Sequence, residues 1–356
     1  MGNSIKRDSS IDIVKGIGII LMVIGHSGCS KWLHDFIYAF HMPLFFICSG
    51  YFYKPISTGE GQLTFCKKRI NGLYVPYVKW SILFLLLHNV FYKLNIYSDS
   101  YGYMGSTSSL YDFMDVVVRL KDILLSMEGH EDLLGGFWFL RVLLFASLGY
   151  SVIDLLLNKW KNRNLKNAIV FCALFGLTIF AWYTSMHVWV FDSLFLIMYG
   201  CLFFVVGYLY KSYSLTLCLN KSWVNLICLL LVFIGSVLIP TEMICVPVKW
   251  ILPYMIVASA GSLLMFNAAR FLSRYKFSSV LVYVGRHTML ILALHFLSFK
   301  IINLIKVYAY NLPIKMLSCF LVVEEHNLYY WVAYVAVGVC VPLIIGKIGK
   351  KIFRLH

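Results

Sequence analysis

Charged residues are scarce in this sequence. Only 13% of the 356 residues are Asp, Glu, Lys or Arg, whereas 60% are hydrophobic and the mean hydropathy is +0.79. A water-soluble domain has about a quarter of its residues charged. Because no polar block of the size of a soluble domain occurs along the chain, we predict an all-α integral membrane protein. We expect a polytopic helix bundle that forms a single domain over residues 1–356.

Patterns that would indicate several other classes of protein are also missing. The ten cysteines contain no C-x-x-C pair, and we find no spacing typical of a metal site or a disulfide framework, so we expect no metal and no bound cofactor. The net charge of +15 comes from short basic clusters between apolar runs, which is typical of cytoplasmic loops and not of a nucleic-acid-binding surface. No internal repeat is present, which disfavours the transporter folds built from repeats.

The apolar residues are grouped into segments of membrane-spanning length, which is about 20 residues per helix. We predict about ten transmembrane helices, at residues 11–29, 35–53, 74–95, 136–157, 167–186, 191–210, 222–240, 250–269, 279–305 and 328–347. The ninth segment is long enough to tilt or break.

The distribution of basic residues predicts the topology. With a cytoplasmic N-terminus, most lysines and arginines outside the spans fall on the cytoplasmic side, which follows the positive-inside rule. The segments on the outer side hold only Lys31, Arg119, Lys121, Lys249, Lys306 and Lys315. We therefore predict that both termini are cytoplasmic. Two outer loops stand out, a long acidic one at 96–135 and a shorter one at 306–327.

The first predicted span contains ionisable residues, in the stretch "KGIGIILMVIGH". Lys15 and His26 face the same side of a helix and are about 16 Å apart along its axis, so they could contact two ends of one elongated ligand. Asp12 lies one turn before Lys15 and can pair with it. The alternative is an ion pair at the membrane interface together with a histidine that is satisfied within the bundle.

Further polar residues occur in or beside apolar helices, where an ionisable group indicates function by default. They are His41 in "FHMPLFFICSGY", Trp138 and Arg141 in "GGFWFLRVLLF", and His295 in "GRHTMLILALHF". The run Lys67, Lys68, Arg69 suits phosphate binding, or else simple anchoring to anionic lipids. The alternative for the histidines is packing within the bundle. The alternative for Trp138 is the role of an aromatic residue at the membrane interface.

Together these motifs resemble the acyltransferase-3 family of bacterial integral-membrane O-acyltransferases, especially the fucose O-acetylase-like branch that acts on surface polysaccharides. The family pattern has a cation and a histidine in the first span separated by ten residues, with an aspartate three residues before the cation. Here these residues are Asp12, Lys15 and His26. Arg69 matches the first of two arginines in the family pattern, whereas Gly72 occupies the place of the second.

The resemblance implies a multi-pass enzyme of the bacterial cytoplasmic (inner) membrane. It would transfer acetyl from acetyl-CoA, as co-substrate, to a hydroxyl of a glycan or a lipid-linked sugar. His26 would be the general base or, alternatively, a nucleophile that forms an acyl-imidazole. Lys15, paired with Asp12, would position the donor. The other assignments are donor binding by Lys67, Lys68 and Arg69, and acceptor or oxyanion contacts by His41, Trp138, Arg141 and His295. The competing class is a transporter or flippase of a sugar or lipid-linked glycan.

Overall fold

The computed structural model describes residues 9–102, 108–185, 192–239 and 241–353. The regular secondary structure in this part of the chain is helical, which confirms the predicted all-α fold. Lys6, Arg7 and Arg354, which contribute to the predicted topology, lie outside the described residues.

In chain order, the helices are α1 (Ser9–His26), α2 (Lys31–Tyr38), α3 (His41–Tyr51), α4 (Gly59–Arg69), α5 (Val75–Lys93), α6 (Phe113–Leu125), α7 (Trp138–Leu156), α8 (Arg163–Ser185), α9 (Asp192–Ser212), α10 (Leu215–Cys218), α11 (Ser222–Leu238), α12 (Ile251–Leu272), α13 (Ser278–Arg286), α14 (Thr288–Ala309) and α15 (Asn327–Phe353). Short 3-10 segments, among them Asp132–Phe137 before α7, connect some of them.

Seven helical stretches in the described part of the chain are long and apolar enough to cross a bilayer. They are Gly59–Lys93, Asp132–Leu156, Arg163–Ser185, Ser193–Ser212, Val248–Leu272, Thr288–Ala309 and Asn327–Lys351. A shorter apolar helix covers Ser222–Leu238. The chain is thus a multi-pass membrane protein.

The first of two compact units comprises Met1–Leu21, Trp32–Lys68 and Val142–Arg286. In it, α3 packs against both α9 and α12, while α8 packs on α9 and α11 on α12. Gly50 permits the contact between α3 and α9, because a Cβ atom at this position would collide with the backbone carbonyl of Phe204. A small residue at this position thus allows the close approach of the neighbouring helix.

The second unit comprises Met22–Lys31, Arg69–Arg141 and His287–His356. Here α14 packs against α15 and against the 3-10 segment Asp132–Phe137, and α5 packs against α6. Because α14 has neighbours on several sides, most of its middle is buried, including polar side chains. The last turn of α1, which includes His26, belongs to this unit together with α14.

Two predicted spans are interrupted in the structure. The predicted span at 35–53 consists of α2 and α3, with a break before His41. Pro43 lies in the first turn of α3, where its missing N–H group costs no intrahelical hydrogen bond. The predicted ninth span breaks at His287, between α13 and α14, as its length suggested.

The helix predicted at 74–95 begins earlier than expected. A continuous helical stretch runs over Gly59–Lys93 and includes a π-helical turn at Ile70–Tyr74. A π turn inserts a residue without ending the helix, and such turns are frequent at functional sites. The basic run of residues 67–69 therefore lies on a helix and not in a loop.

Candidate active site

His26 and His295 form a hydrogen-bonded pair. His26 is the last residue of α1 and is half-buried, whereas His295 lies in α14 and is fully buried. Nδ1 of His26 is 3.1 Å from Nε2 of His295, and the ring centroids are 5.3 Å apart in a stacked arrangement. The structure thus brings together two of the predicted site residues that are 269 positions apart in the sequence.

The hydrogen-bond partners fix the tautomers of both neutral rings. Nδ1 of His295 is 3.1 Å from the carbonyl oxygen of Ile291 and 3.0 Å from that of Leu292. A carbonyl oxygen only accepts, so this Nδ1 carries the proton and Nε2 presents a lone pair. His26 then donates its Nδ1–H to His295, and the proton-accepting nitrogen of His26 is Nε2.

Aromatic rings and a glycine surround the histidine pair. The His26 ring stacks on Phe296 with centroids 4.9 Å apart, and Phe296 contacts Phe320 at the same centroid distance. The 3-10 segment Asp132–Phe137 packs on α14, and a Cβ atom added at Gly135 would be in van der Waals contact with both phenylalanine rings. The motif that precedes Trp138 is therefore part of the surroundings of His26.

Three buried polar side chains on one face of α14 hold the segment that follows this helix. Lys300 donates from Nζ to the carbonyl of Cys319 at 2.9 Å, and Lys306 donates to the carbonyl of Val323. The Oδ1 of Asn303 accepts from the backbone N–H of Val323 at 3.3 Å. These contacts offset the free-energy cost of burying two lysines, because they pair the ammonium groups with carbonyl oxygens.

Asn327 connects this segment to the end of α1. Its Nδ2 donates to the carbonyl oxygen of Gly28 at 2.8 Å, and its Oδ1 is 3.4 Å from Nζ of Lys306. Gly28 follows His26 by two residues and has a positive φ of 71°. The position of His26 is therefore supported from α14 both through His295 and through Asn327.

Asp12 forms an ion pair with Arg286. Asp12 is only 2% exposed, and its Oδ2 is 3.1 Å from Nε of Arg286, the last residue of α13. Nζ of Lys15 instead lies over the ring of Phe52, 5.5 Å from the centroid. The aspartate that we expected to pair with Lys15 thus has an arginine partner that is distant in the sequence.

Substitution of Gly285 should destabilise this contact between α1 and α13. A Cβ atom at Gly285 would collide with the backbone carbonyl of Asp12. We expect Gly285→Ala to lower the melting temperature of the purified protein, because overpacking costs about 1–3 kcal/mol and Arg286 would move with the helix. The control Gly149→Ala, where no heavy atom lies within 4 Å of the added Cβ, should leave the melting temperature unchanged or slightly raised. Equal losses in the two variants would contradict the close approach.

The three predicted donor-binding residues lie at the end of α4. Lys67 and Lys68 are exposed, and Arg69 is half-buried and ends the helix. The π-helical turn follows directly and contains Gly72, at which an added Cβ would meet no atom within 4 Å. The end of α4 therefore exposes two lysine side chains, and the space around Gly72 is open.

The remaining predicted site residues have identifiable positions. His41 is buried at the start of α3, and its Nδ1 donates to the carbonyl of Ile37 at 3.0 Å. Trp138 is the half-buried first residue of α7. Arg141, one turn further on, pairs with Glu128 at 3.1 Å. Arg141 thus has an acidic partner.

Acidic residues of the predicted outer loop at 96–135 make contacts both within the loop and with other segments of the chain. Asp112 and Asp115 form a capping box at the start of α6. Buried Glu131 is 3.0 Å from Nδ1 of His88. Exposed Asp99 accepts a hydrogen bond from Lys315 at 2.8 Å, which lowers the pKa of that carboxyl group.

Sequence analysis did not identify several residues that build this site. Arg286 was recognised only as part of a motif, and Asn327 was not singled out. The buried polar face of α14 was readable in principle, because Lys300, Asn303 and Lys306 recur every three positions and so share one side of a helix. Most of their partners are backbone groups of residues 317–323, which no sequence pattern reveals.

Comparison with known proteins identifies the class. Residues 8–347 match the family model described as the acyltransferase domain, so the chain belongs to the acyltransferase-3 family. The nodulation protein NolL of Sinorhizobium fredii (strain NBRC 101917 / NGR234) is 31% identical over 172 residues, a match that covers 44% of this chain and 39% of that protein. No solved structure matches the chain. The chain thus spans about two fifths of the length of this relative, and the domain it shares with the family is described as an acyltransferase domain.

Proposed function

We propose that the protein is an O-acetyltransferase that moves acetyl from acetyl-CoA to a sugar hydroxyl of a bacterial surface polysaccharide or its lipid-linked precursor. The observation that carries the proposal is the hydrogen-bonded pair of His26 and His295. It gives a half-buried imidazole in a defined tautomer, which is what proton abstraction from a hydroxyl requires.

In the proposed reaction, Nε2 of His26 takes the proton of the sugar hydroxyl while the sugar oxygen attacks the thioester carbonyl. The tetrahedral intermediate then collapses, the C–S bond breaks, and the CoA sulfur leaves with the proton held by His26. His295 acts as a positioning residue, because it accepts the Nδ1–H of His26 and stabilises the imidazolium that forms. The alternative role of His26 is that of a nucleophile that carries the acetyl group itself.

Donor binding is assigned to the basic residues. The phosphates of CoA would contact Lys67, Lys68 and Arg69. Lys15 would position the donor on the side of α1. Asp12 would be held in place by Arg286. Arg141 or His41 would stabilise the oxyanion, and Trp138 would offer an aromatic face to the acceptor sugar. The acidic loop would contribute to acceptor binding by holding Arg141 through Glu128.

The proposed topology places ten membrane-spanning segments in the bacterial cytoplasmic membrane, with both termini in the cytoplasm. The interrupted segments α2 with α3 and α13 with α14 would each count as one span, and α1 and α11 would be short spans. This topology follows the distribution of basic residues. It puts the donor-binding run on the cytoplasmic side and His26 toward the outer side.

Thiol release by the purified protein tests this function. In detergent, without any gradient, the protein with acetyl-CoA and acceptor glycan should release free CoA in step with ester formation on the glycan. A transporter would need sealed vesicles and would leave the thioester intact. Absence of both products with folded protein, over several glycans, would overturn the proposal in favour of the transporter class.

Substitution of Lys15 should weaken donor use more than catalysis. We expect Lys15→Ala to raise KM for acetyl-CoA about tenfold or more with little change in kcat, because a charged contact contributes about 1.5–3 kcal/mol. Lys15→Arg should retain most activity, since it keeps the cation. The exposed Lys54 provides the control, and Lys54→Ala should leave KM unchanged. An inactive Lys15→Arg variant would contradict a simple positioning role.

A further inference from the structure

Helix α6 runs antiparallel to α5, and both belong to the second compact unit. Just before α6, the backbone of Tyr111 forms two hydrogen bonds with the side chain of Asn89, at 2.9 Å to Nδ2 and 2.8 Å to Oδ1. At the other end of α6, the carbonyl oxygen of Leu124 accepts from the hydroxyl of Tyr74 at 2.8 Å. About 22 Å of continuous helix separates Tyr74 from Asn89 at 1.5 Å per residue. Helix α6 therefore follows α5 over most of its length.

The part of the Gly59–Lys93 helix that α6 accompanies is the apolar part. The first turns, Gly59–Arg69, are polar, whereas Val75–Lys93 is mostly apolar and suits the interior of a bilayer. The helix ends at Lys93, one turn after Asn89, so the end of α6 at Tyr111 is the one nearer the membrane surface. The hydrocarbon core is about 30 Å thick, so a point roughly 22 Å further along α5 lies inside it. The end of α6 at Leu124 is therefore at membrane depth.

The side of α6 that points away from the protein is apolar. Its charged residues Asp115, Arg119 and Asp122 lie on the half-buried side. There the guanidinium of Arg119 is 4.0 Å from the ring centroid of Tyr111, and Asp122 is 3.0 Å from Nε2 of His130. A helix at an aqueous surface has the reverse arrangement. The exposed apolar residues recur at helical spacing and are Phe113, Met114, Val117, Val118, Leu124 and Leu125.

Lys121 is an exposed charge on this apolar side. Side chains of a helix lean toward its N-terminus, and the N-terminal end of α6 is the end nearer the membrane surface. The ammonium group of Lys121 is therefore directed toward the lipid headgroups, while its methylene groups cover apolar surface. With 13 residues and several charges, α6 is not recognised by hydropathy as a membrane helix.

We propose that α6 is a re-entrant membrane helix whose exposed apolar side contacts the acyl chains of the bilayer. This side continues the exposed surface of the membrane-spanning α5, where Leu83, Leu86 and Val90 recur at helical spacing. The proposal differs from the sequence-based prediction, which places all of residues 96–135 in an outer loop. It is independent of the proposed acyl transfer.

The segment that follows α6 has a different environment. A Cβ atom at Gly129 would lie 3.4 Å from the hydroxyl of Tyr77, so this segment is also at membrane depth. It is irregular and exposes Glu128 and His130. Irregular backbone at this depth is tolerated only where it is buried in protein or lines a water-filled cavity. In the proposed arrangement these two side chains therefore face water and not lipid.

The reaction rates of introduced cysteines with a charged maleimide test the depth of α6. Leu110 and Val118 are 50% and 51% exposed, and Leu125 is 75% exposed. In membrane fragments open to both faces, Leu110→Cys should react fastest. Val118→Cys and Leu125→Cys should each react at least about tenfold more slowly, because hydrocarbon excludes a charged reagent. An aqueous α6 would instead give similar rates at 110 and 118 and the fastest rate at 125, which would overturn the proposal. Mass spectrometry of the separate peptides keeps the native cysteines out of the measurement.

Photolabelling of the wild type with an apolar aryl diazirine dissolved in the bilayer identifies what covers α6. Insertion of the carbene into Phe113–Leu125, at a level similar to that in Val75–Lys93, would support contact with lipid. The exposed residues 159–162, outside the predicted spans, should stay unlabelled and serve as the control. Protection of α6 from both reagents would mean that protein covers it, as in a dimer of this chain, and would overturn the assignment to lipid.

Discussion

Replacement of His26 by alanine should reduce acetyl transfer by at least about 1,000-fold while the protein remains folded in the membrane. The imidazole supplies the base that removes the hydroxyl proton, and general-base catalysis contributes about 10²–10⁴-fold. His26 is half-buried at the end of α1, and the chain there is held by Asn327, so the loss of the ring should not unfold the helix. The measurement is kcat at equal amounts of purified protein.

A matched histidine variant makes this result specific. His130 is exposed and lies 3.0 Å from Asp122, and it belongs to the same compact unit as His26. His130→Ala should keep nearly the full rate. If His26→Ala retained a rate close to that of the wild type, the assignment of His26 to the chemistry would be wrong.

Substitution of His295 should produce the second large effect. We expect His295→Phe to lower kcat by about 100-fold or more, because the ring volume is kept while the acceptor for Nδ1–H of His26 is lost. Without that acceptor the tautomer of His26 is no longer fixed and its imidazolium is not stabilised. The His26 ring would still stack on Phe296, so the loss would report the hydrogen bond and not packing alone.

Two further readouts separate a positioning role from a structural one. His295→Gln offers an amide oxygen near the place of Nε2 and should recover much of the activity lost in His295→Phe. KM for acetyl-CoA should stay close to that of the wild type in His295→Phe, since the variant affects the base and not the donor-binding residues. A raised KM together with no rescue by glutamine would contradict the positioning role.

The membrane helices were largely predictable, because long apolar runs leave few alternatives for a chain with so little charge. The break before His41 was not predicted, since an apolar run gives no signal for a short irregular linkage between two helices. The helix over Gly59–Lys93 was also missed at its beginning. Its first two turns are polar, and hydropathy does not distinguish a polar helix from a loop.

Residues of the candidate site could be predicted from the sequence, whereas the contacts between them could not. His26 and His295 were identified because histidines in apolar helices are unusual, and the acyltransferase-3 family was recognised from its motifs. That the two histidines bind each other depends on how the last turn of α1 meets α14, which sequence spacing does not encode. For the same reason Asp12 was paired with Lys15, three residues away, whereas the structure shows an ion pair of Asp12 with Arg286 on α13.

The most direct test of the account is transfer of radiolabelled acetyl from acetyl-CoA to surface glycan, in membranes that carry either the wild type or His26→Ala. We predict label on the glycan, releasable as acetate by mild base, with the wild type only. Equal labelling by the two proteins would contradict the role of His26, and no labelling by folded wild type over several glycans would contradict acetyl transfer from CoA itself.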